Sequence, residues 1–438
     1  MTRALIKDGC VLSMDPAIGN HYEADVLIDG DTIAEVGTRV RARDAELVDA
    51  RDAIVMPGFV DTHRHVWESL FRGLGDPADA AHPAAYAPRC TADDVYAATL
   101  VGLLGAAEAG ITTVVDWCEL GGTDSHTDAA LAAHADAGLR TVFVDAAAAG
   151  PDADGGWRSR LRRLAATAPA PLRNLAAGPR EPRRGDVDRL SADWRLAREL
   201  GLRIHSHAGG SPDDRGVVTD LAARGLLAAD VTLVHCSHLA DADLDAIGSS
   251  GASVSLTPSS EMAGGLPPLP VQKLIDREIR PGLGIDAERL APGDMFAQMR
   301  AAISLQHATH FDLKLAGKAG LPKLLSTREV IRYGTIDGAR AAGLGDVTGS
   351  LAPGKQADVL VLRTDRPNIF PINDPIGAVV WGMDTSNIDW VLAAGRPLVR
   401  GGVLDADLDR ARRLAAAARQ RVVAAAGPPV GTGAGGPA

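Results

Sequence analysis

Eight short apolar runs, each followed by a stretch of helical character, constrain the fold of this chain more than any other feature. Continuous apolar runs are typical of strands covered on both faces, and helices between them indicate parallel pairing. Eight such units are the number that closes a (β/α)8 barrel of the TIM type. The runs lie at 54–65, 110–117, 140–146, 173–179, 202–208, 231–238, 252–258 and 280–287.

The two ends of the chain have a different texture. Near the N-terminus, "ALIKDG", "ADVLIDG" and "TIAEVG" each end at a glycine, a pattern typical of hairpins, and "ADVLVLR" and "IDWVLAAGRPLVRGG" repeat it near the C-terminus. We therefore predict an α/β protein with a small β-sandwich domain built from residues 1–56 and 346–403 and a catalytic barrel over 57–345. An amphipathic helix over 404–426 and a disordered Gly/Pro-rich tail over 427–438 follow.

Charge and cysteine usage narrow the class of protein. The formal net charge of -11 argues against a surface for nucleic acid or anionic membrane, since both need a basic patch. The 4 cysteines show no C-x-x-C spacing, which indicates a reducing compartment without a disulfide framework. The sequence contains neither a run of 18 apolar residues nor the apolar core of a secretory signal. We predict a cytoplasmic protein that acts on a small molecule, not on nucleic acid or membranes.

Polar residues end several of the predicted strands, and in a barrel the chemistry gathers at the C-terminal ends of the strands. His63 and His65 lie two residues apart, so that both side chains point to one face of their strand. His207, His235 and Asp286 end three other runs. Imidazole nitrogens with one carboxylate suit a divalent metal ion, zinc first and iron or manganese as alternatives.

Five segments occur in one order over nearly the whole chain: "MPGFVDTHRHVWESLFRG" (56–73), "EAGITTVVDW" (108–117), "LVHCSHL" (233–239), "LGIDAERLAPGDMFAQMR" (283–300) and "GTIDGARAAGLGDVTGSLAPGKQADVLVL" (334–362). On these segments the chain resembles the amidohydrolase superfamily, in its cytosine deaminase, chlorohydrolase and S-adenosylhomocysteine deaminase branch. The resemblance implies metal-dependent hydrolysis of C–N bonds other than peptide bonds, with deamination of a small cyclic or heteroaromatic substrate as the leading reaction. It also implies a possible homo-oligomer.

The resemblance implies a role for each strand-end residue. His63, His65, His207 and Asp286 correspond to the metal ligands, and Asp286 also takes a proton from the attacking water. His235 corresponds to the histidine that contacts the substrate or that water. The fourth run ends in "RNLAAGPREP", without the lysine that would be carbamylated to bridge two metals, so a single ion is expected.

Gly210 departs from the family pattern, because deaminases of this branch carry a proton-transferring glutamate three residues after the strand-five histidine. A positioned general acid contributes on the order of 10²–10⁴ in rate. Glu261, in "TPSSEMAGG", is our preferred catalytic replacement, and Glu119 is the second candidate. Alternatively Glu261 is a solvated loop acid or pairs with Arg180. The reaction can also need no ring protonation, as when an amide or halide is displaced, or the site can be a catalytically silent metal-binding scaffold.

Four further residues near strand ends are predicted to line the substrate pocket, with packing of the tryptophans and a supporting role for the histidine as alternatives. We expect His205, which shares a strand face with His207, to be a hydrogen-bonded residue of the barrel core. The predicted substrate-binding residues are Trp67, Trp117, His238 and Met262.

Overall fold

The computed structural model describes residues 3–74, 85–120, 123–147, 154–167, 170, 172–183, 187–266 and 270–426, and the predicted tail at 427–438 lies outside them. Within these residues the chain forms two β-sheets and an outer layer of helices. One sheet corresponds to the eight apolar runs of the sequence, and the other to the hairpin patterns at the two ends of the chain.

The central sheet contains eight strands, and every registered pair within it is parallel. Its first and last strands meet where the Asp286 N–H donates to the His63 carbonyl (2.8 Å) and the His65 N–H donates to the Asp286 carbonyl (3.0 Å). This closes the predicted barrel. The strands, hydrogen-bonded in chain order, are β6 (Phe59–Arg64), β7 (Ile111–Cys118), β8 (Arg140–Ala146), β9 (Arg173–Gly178), β10 (Arg203–Ala208), β11 (Val231–His235), β12 (Ser253–Leu256) and β13 (Gly282–Leu283).

The second sheet is mixed and draws its nine strands from both ends of the chain, as predicted. The ends join where Val55 pairs antiparallel with Val361. The N-terminal strands are β1 (Arg3–Leu12), β2 (Asn20–Asp29), β3 (Thr32–Gly37), β4 (Glu46–Asp49) and β5 (Ala53–Pro57). The C-terminal strands are β14 (Val359–Arg363), β15 (Ile388–Ala393), β16 (Arg396–Arg400) and β17 (Val403–Leu404). The strand order is β17-β16-β15-β14-β5-β1-β2-β3, with β4 paired to β1.

Helices cover the barrel and fix its strands. Thr91 and Asp94 form a capping box at the start of the first helix, and Phe59 packs edge-on against Phe296 at a centroid distance of 5.1 Å. Among the described residues, no helix combines the length and apolarity needed to cross a membrane. The helices are α1 (Ala92–Glu108), α2 (Asp124–Ala137), α3 (Asp154–Ala165), α4 (Val187–Glu199), α5 (Val217–Ala223), α6 (Asp241–Ser250), α7 (Pro258–Ala263), α8 (Val271–Ile275), α9 (Met295–Leu315), α10 (Thr327–Tyr333), α11 (Ile336–Ala341), α12 (Pro375–Trp381) and α13 (Leu408–Ala426).

Candidate metal centre

Four side chains from separate parts of the barrel converge at its C-terminal end. The Nε2 atom of His63 lies 3.1 Å from Nε2 of His207, and Asp286 Oδ1 lies 3.4 Å from Nε2 of both His63 and His65. Two imidazole nitrogens at this distance need a proton or a cation between their lone pairs. Three imidazoles and one carboxylate facing one point form a donor set that fits a divalent transition metal ion.

Two more predicted residues border this point. A ring nitrogen of His235, at the end of β11, belongs with His63 and Asp286 to a group whose candidate ligand atoms all lie within 4.8 Å of one another. The Trp117 ring, at the end of β7, lies 4.5 Å from the His207 ring between centroids. The structure therefore brings together the residues predicted from the ends of the first, second, fifth, sixth and eighth barrel strands.

Each of three histidines at the centre has a carboxylate behind it. A carboxylate that accepts from Nδ1–H fixes the ring and its tautomer and leaves Nε2 free to face the centre, as is usual for metal-binding histidines. The Nδ1–Oε1 distances are 3.2 Å for His65 and Glu119, 3.3 Å for His207 and Glu181, and 3.0 Å for His235 and Glu261.

Glu261, on α7, is a buried member of this arrangement, with 1 % of its surface exposed. Its Oε1 accepts from His235 Nδ1, from the Thr257 N–H (3.0 Å) and from the Thr257 hydroxyl (3.1 Å). The alternative of a solvated loop acid is therefore wrong. The carboxylate lies behind the His235 ring, on its Nδ1 side.

Glu181 is the residue that the sequence reasoning missed. It lies in "RNLAAGPREP", three residues beyond the end of β9, where only the lack of a lysine was considered. Its side chain is 54 % exposed, and a hydrogen bond from His207 lowers its pKa to about 2. A carboxylate shortly after a barrel strand was the available signal.

The charges of the centre favour a cation. Burial lowers the pKa of His63 well below its usual value, so its imidazole is neutral and its lone pair available. Burial also disfavours a positive His65, but the Glu119 carboxylate outweighs this and, with Asp286 and Glu68, raises the pKa of His65 to about 10. The surrounding carboxylates thus stabilise positive charge at this point, which a divalent ion supplies without a proton.

The remaining predicted pocket residues lie farther from the convergence point or behind it. Trp67 is buried against Phe71, and its Nε1–H donates to Glu119 Oε1 (3.2 Å). Met262 is 45 % exposed, and the His238 backbone N–H donates to the Gly209 carbonyl (2.9 Å). Their roles in substrate binding stay predictions.

His205 lies in the barrel core, as expected, but without the expected hydrogen bond. It is fully buried on β10, and its ring nitrogens have no hydrogen-bond partner among the described residues. Burial lowers the pKa of His205 to about 3, so the ring is neutral. This imidazole is a packing residue beneath the metal ligands.

Three residues at the centre have a strained, left-handed backbone. His235, Cys236 and Asp286 have φ values of 70°, 60° and 66°, in the left-handed region that side chains with a Cβ rarely adopt. Such conformations cost on the order of 1–3 kcal/mol each and persist where surrounding contacts enforce them, frequently at functional sites.

Two adjacent glycines after β10 differ in what they tolerate. A Cβ at Gly209 (φ 74°) would lie 2.9 Å from Leu239 Cγ and 3.1 Å from Cys236 Cα, whereas a Cβ at Gly210 meets no atom within 4 Å. We expect Gly209→Ala to lower the free energy of unfolding by about 1–3 kcal/mol and Gly210→Ala to change it by less than about 0.5 kcal/mol. Thermal unfolding of the two variants compares them; equal losses would contradict the open space beside Gly210.

Known proteins resemble this chain over most of its length. A family model described as Amidohydrolase family matches residues 54–398. A 5'-deoxyadenosine deaminase from Methanosarcina mazei is 26 % identical over 417 residues, covering 91 % of this chain and 93 % of that protein. A 5-methylthioadenosine/S-adenosylhomocysteine deaminase from Symbiobacterium thermophilum is 27 % identical and covers 90 % and 93 %.

Solved structures share the fold. The zinc-bound adenosine deaminase from Xanthomonas campestris superposes with a TM-score of 0.79 at 24 % identity, covering 96 % of this chain and 98 % of that one. An atrazine chlorohydrolase variant from Arthrobacter aurescens, complexed with zinc and atraton, gives 0.84 at 22 % identity and covers 95 % and 100 %. Both likenesses place the convergent histidines in a barrel of the same architecture.

Proposed function

The chain belongs to the amidohydrolase family and is a metal-dependent hydrolase, and on that premise we propose that it deaminates a small amino-substituted heteroaromatic compound. The observation that carries the proposal is the convergence of three Nε2 atoms and Asp286 Oδ1 on one point, with a hydrogen-bonded His235 beside it. We assign one ion to this point, zinc, as carried by the solved relative from Xanthomonas campestris.

The residues around the ion divide the work of hydrolysis. A divalent ion in such a site lowers the pKa of a bound water to about 7 and polarises the electrophile. Asp286, whose Oδ1 faces the histidines and whose Oδ2 accepts a hydrogen bond from Ser260 Oγ (2.5 Å), would accept the proton of that water. His235 would donate a hydrogen bond to the oxygen at the reacting carbon, and Glu261 would stabilise the positive charge of His235 until its proton passes to the leaving group.

Because position 210 is a glycine and not a glutamate, another residue has to protonate the leaving group. We assign this step to the His235–Glu261 pair. Burial lowers the pKa of His235, but the hydrogen bond to Glu261 and the negative charges of Asp286 and Glu261 raise it above its usual value and hold the ring as a donor.

Gly210→Glu tests that assignment in the intact protein. A Cβ at Gly210 meets no atom within 4 Å, so a side chain can begin there without a clash. If His235 and Glu261 already protonate the leaving group, the new carboxylate changes kcat for ammonia release by less than about tenfold, whereas supplying a missing general acid raises it on the order of 10²–10⁴. Gly210→Gln is the matched control, because it has the same shape without a titratable group; a gain confined to Gly210→Glu would refute the assignment.

A second reaction is favoured by the same position. Displacement of a halide or an amide needs no ring protonation, and Gly210 removes the residue that would provide it. Purines, pyrimidines, pterins and triazines that carry amino or chloro groups separate the two reactions when ammonia and chloride are both measured. Ammonia alone supports deamination, chloride alone supports the second reaction, and turnover of none of them by zinc-loaded protein would favour a silent scaffold.

A further inference from the structure

The residue between the two β6 ligands belongs to a buried ionic network. Arg64 is fully buried, and its Nη1–H donates to Asp61 Oδ2 (3.2 Å) while its Nη2 lies 2.7 Å from Glu288 Oε1. Arg72 Nε and Nη2 donate to the two oxygens of Glu288 at 2.9 and 2.8 Å, and the Ser69 hydroxyl also donates to Glu288. Two arginines thus face two carboxylates, with Arg64, Asp61 and Glu288 buried and Arg72 at the surface.

The two carboxylates that Arg64 contacts connect it to the chain on either side of Asp286. Asp61 Oδ1 accepts from the backbone N–H of Ile285 (3.0 Å), the residue directly before Asp286. Glu288 lies two residues after it. Asp286 itself has a left-handed backbone, so its carboxylate faces the histidines only while the residues on both sides are held.

We propose that Arg64 is a positioning residue for Asp286. Its guanidinium holds the chain before and after Asp286, in the loop that follows β13, against β6. The inference rests on the proposed function, because it assigns Asp286 to the metal ion. Arginine suits this role because its planar fork addresses two carboxylates in fixed directions, which the point charge of lysine does not. A buried ion pair is weak evidence for stability, because apolar residues of similar volume often stabilise as well.

Close packing supports the same interpretation. A Cβ at Gly293 would collide with Glu288 Oε1 and lie 3.0 Å from Arg64 Nη2, so the loop after Asp286 runs directly over the ion pair. The ion pair of Arg64 and Glu288 is thus enclosed on three sides, by β6, by the residues around Asp286 and by the turn at Gly293.

Arg64→Lys tests the proposal, because it keeps the charge balance and removes the fork. We expect zinc affinity, measured by competition with a chromophoric chelator, to fall on the order of 10–100-fold, the range typical when the support of a metal ligand is lost. Glu288→Gln removes the charge of the carboxylate that Arg64 holds after Asp286 and should lower zinc affinity by the same order. If Arg64→Lys does not fold, the zinc affinity of Glu288→Gln tests the proposal.

Arg140→Lys is the matched control. Arg140, on β8, and Asp358, directly before β14, form another buried pair, with contacts of 3.1 and 3.2 Å. This variant should lower the melting temperature and bind zinc as the unmodified protein does. Normal zinc binding by folded Arg64→Lys and Glu288→Gln, or an equal loss in Arg140→Lys, would overturn the proposal. If the unmodified protein itself binds no zinc, the proposed function fails instead.

Discussion

Replacing His63 with alanine is expected to remove the bound ion and to reduce turnover by a factor on the order of 10³ or more, since hydrolysis then loses both the activated water and the polarised electrophile. His63 is the most buried of the three histidine ligands, and its Nε2 contacts both His207 Nε2 and Asp286 Oδ1. Metal content by atomic emission spectroscopy and ammonia release measured on the same preparation check this result.

His205→Ala is the control for that experiment. His205 is equally buried and lies two residues from His207 on the same strand, but outside the group of converging nitrogens. We expect this variant to lose stability through the cavity it creates and to keep its metal. A metal-free His63→Ala protein with full activity, or a loss of metal from both variants alike, would contradict the assignment of His63.

Asp286→Asn is expected to separate chemistry from metal binding. Hydrogen bonding from His63, together with the positive charges of His235 and His65, overcomes burial and lowers the pKa of Asp286 well below its usual value, so it is a carboxylate at neutral pH. The amide keeps an oxygen for the ion but accepts no proton. Turnover should therefore fall on the order of 10²–10⁴, while much of the metal is retained.

Ser260→Ala provides the graded comparison, because it removes the hydrogen bond to Asp286 Oδ2 and leaves the carboxylate in place. A loss of about tenfold is expected, at the lower end of effects from residues that support a catalytic group. Rates for both variants come from saturating and limiting substrate, so that kcat and KM are resolved. Wild-type turnover by Asp286→Asn would exclude Asp286 as the proton acceptor.

The fold was predictable because it depends on patterns that repeat along the chain. Eight apolar runs gave the barrel, and the residues at their ends gave the converging side chains, since parallel strands end at the same face. The pairing of the two chain ends in one sheet also followed from the hairpin pattern that both ends share. β5 and β14 pair although about 300 residues separate them.

The supporting residues were harder to predict because side-chain direction in loops has no periodicity. Glu181 was missed, and Glu261 was placed near the pocket without its partner, because their contacts with His207 and His235 depend on how the segment after β9 and helix α7 fold over the barrel. The left-handed backbone of Asp286 and the burial of Arg64 likewise result from tertiary contacts and leave no pattern in neighbouring residues.

The proposed metal centre lies at the seam of the barrel, so a bound ion would also be a structural element. β13 has only two residues, and next to it Asp286 exchanges backbone hydrogen bonds with His63 and His65 across the seam. An ion held by these three side chains would crosslink the first and last strands of a closed sheet. Resistance to heat should then rise with the free zinc concentration, because the free energy of unfolding increases by about 2.7 kcal/mol at a hundredfold excess of zinc over Kd. Chelation would open the barrel at the place where it closes.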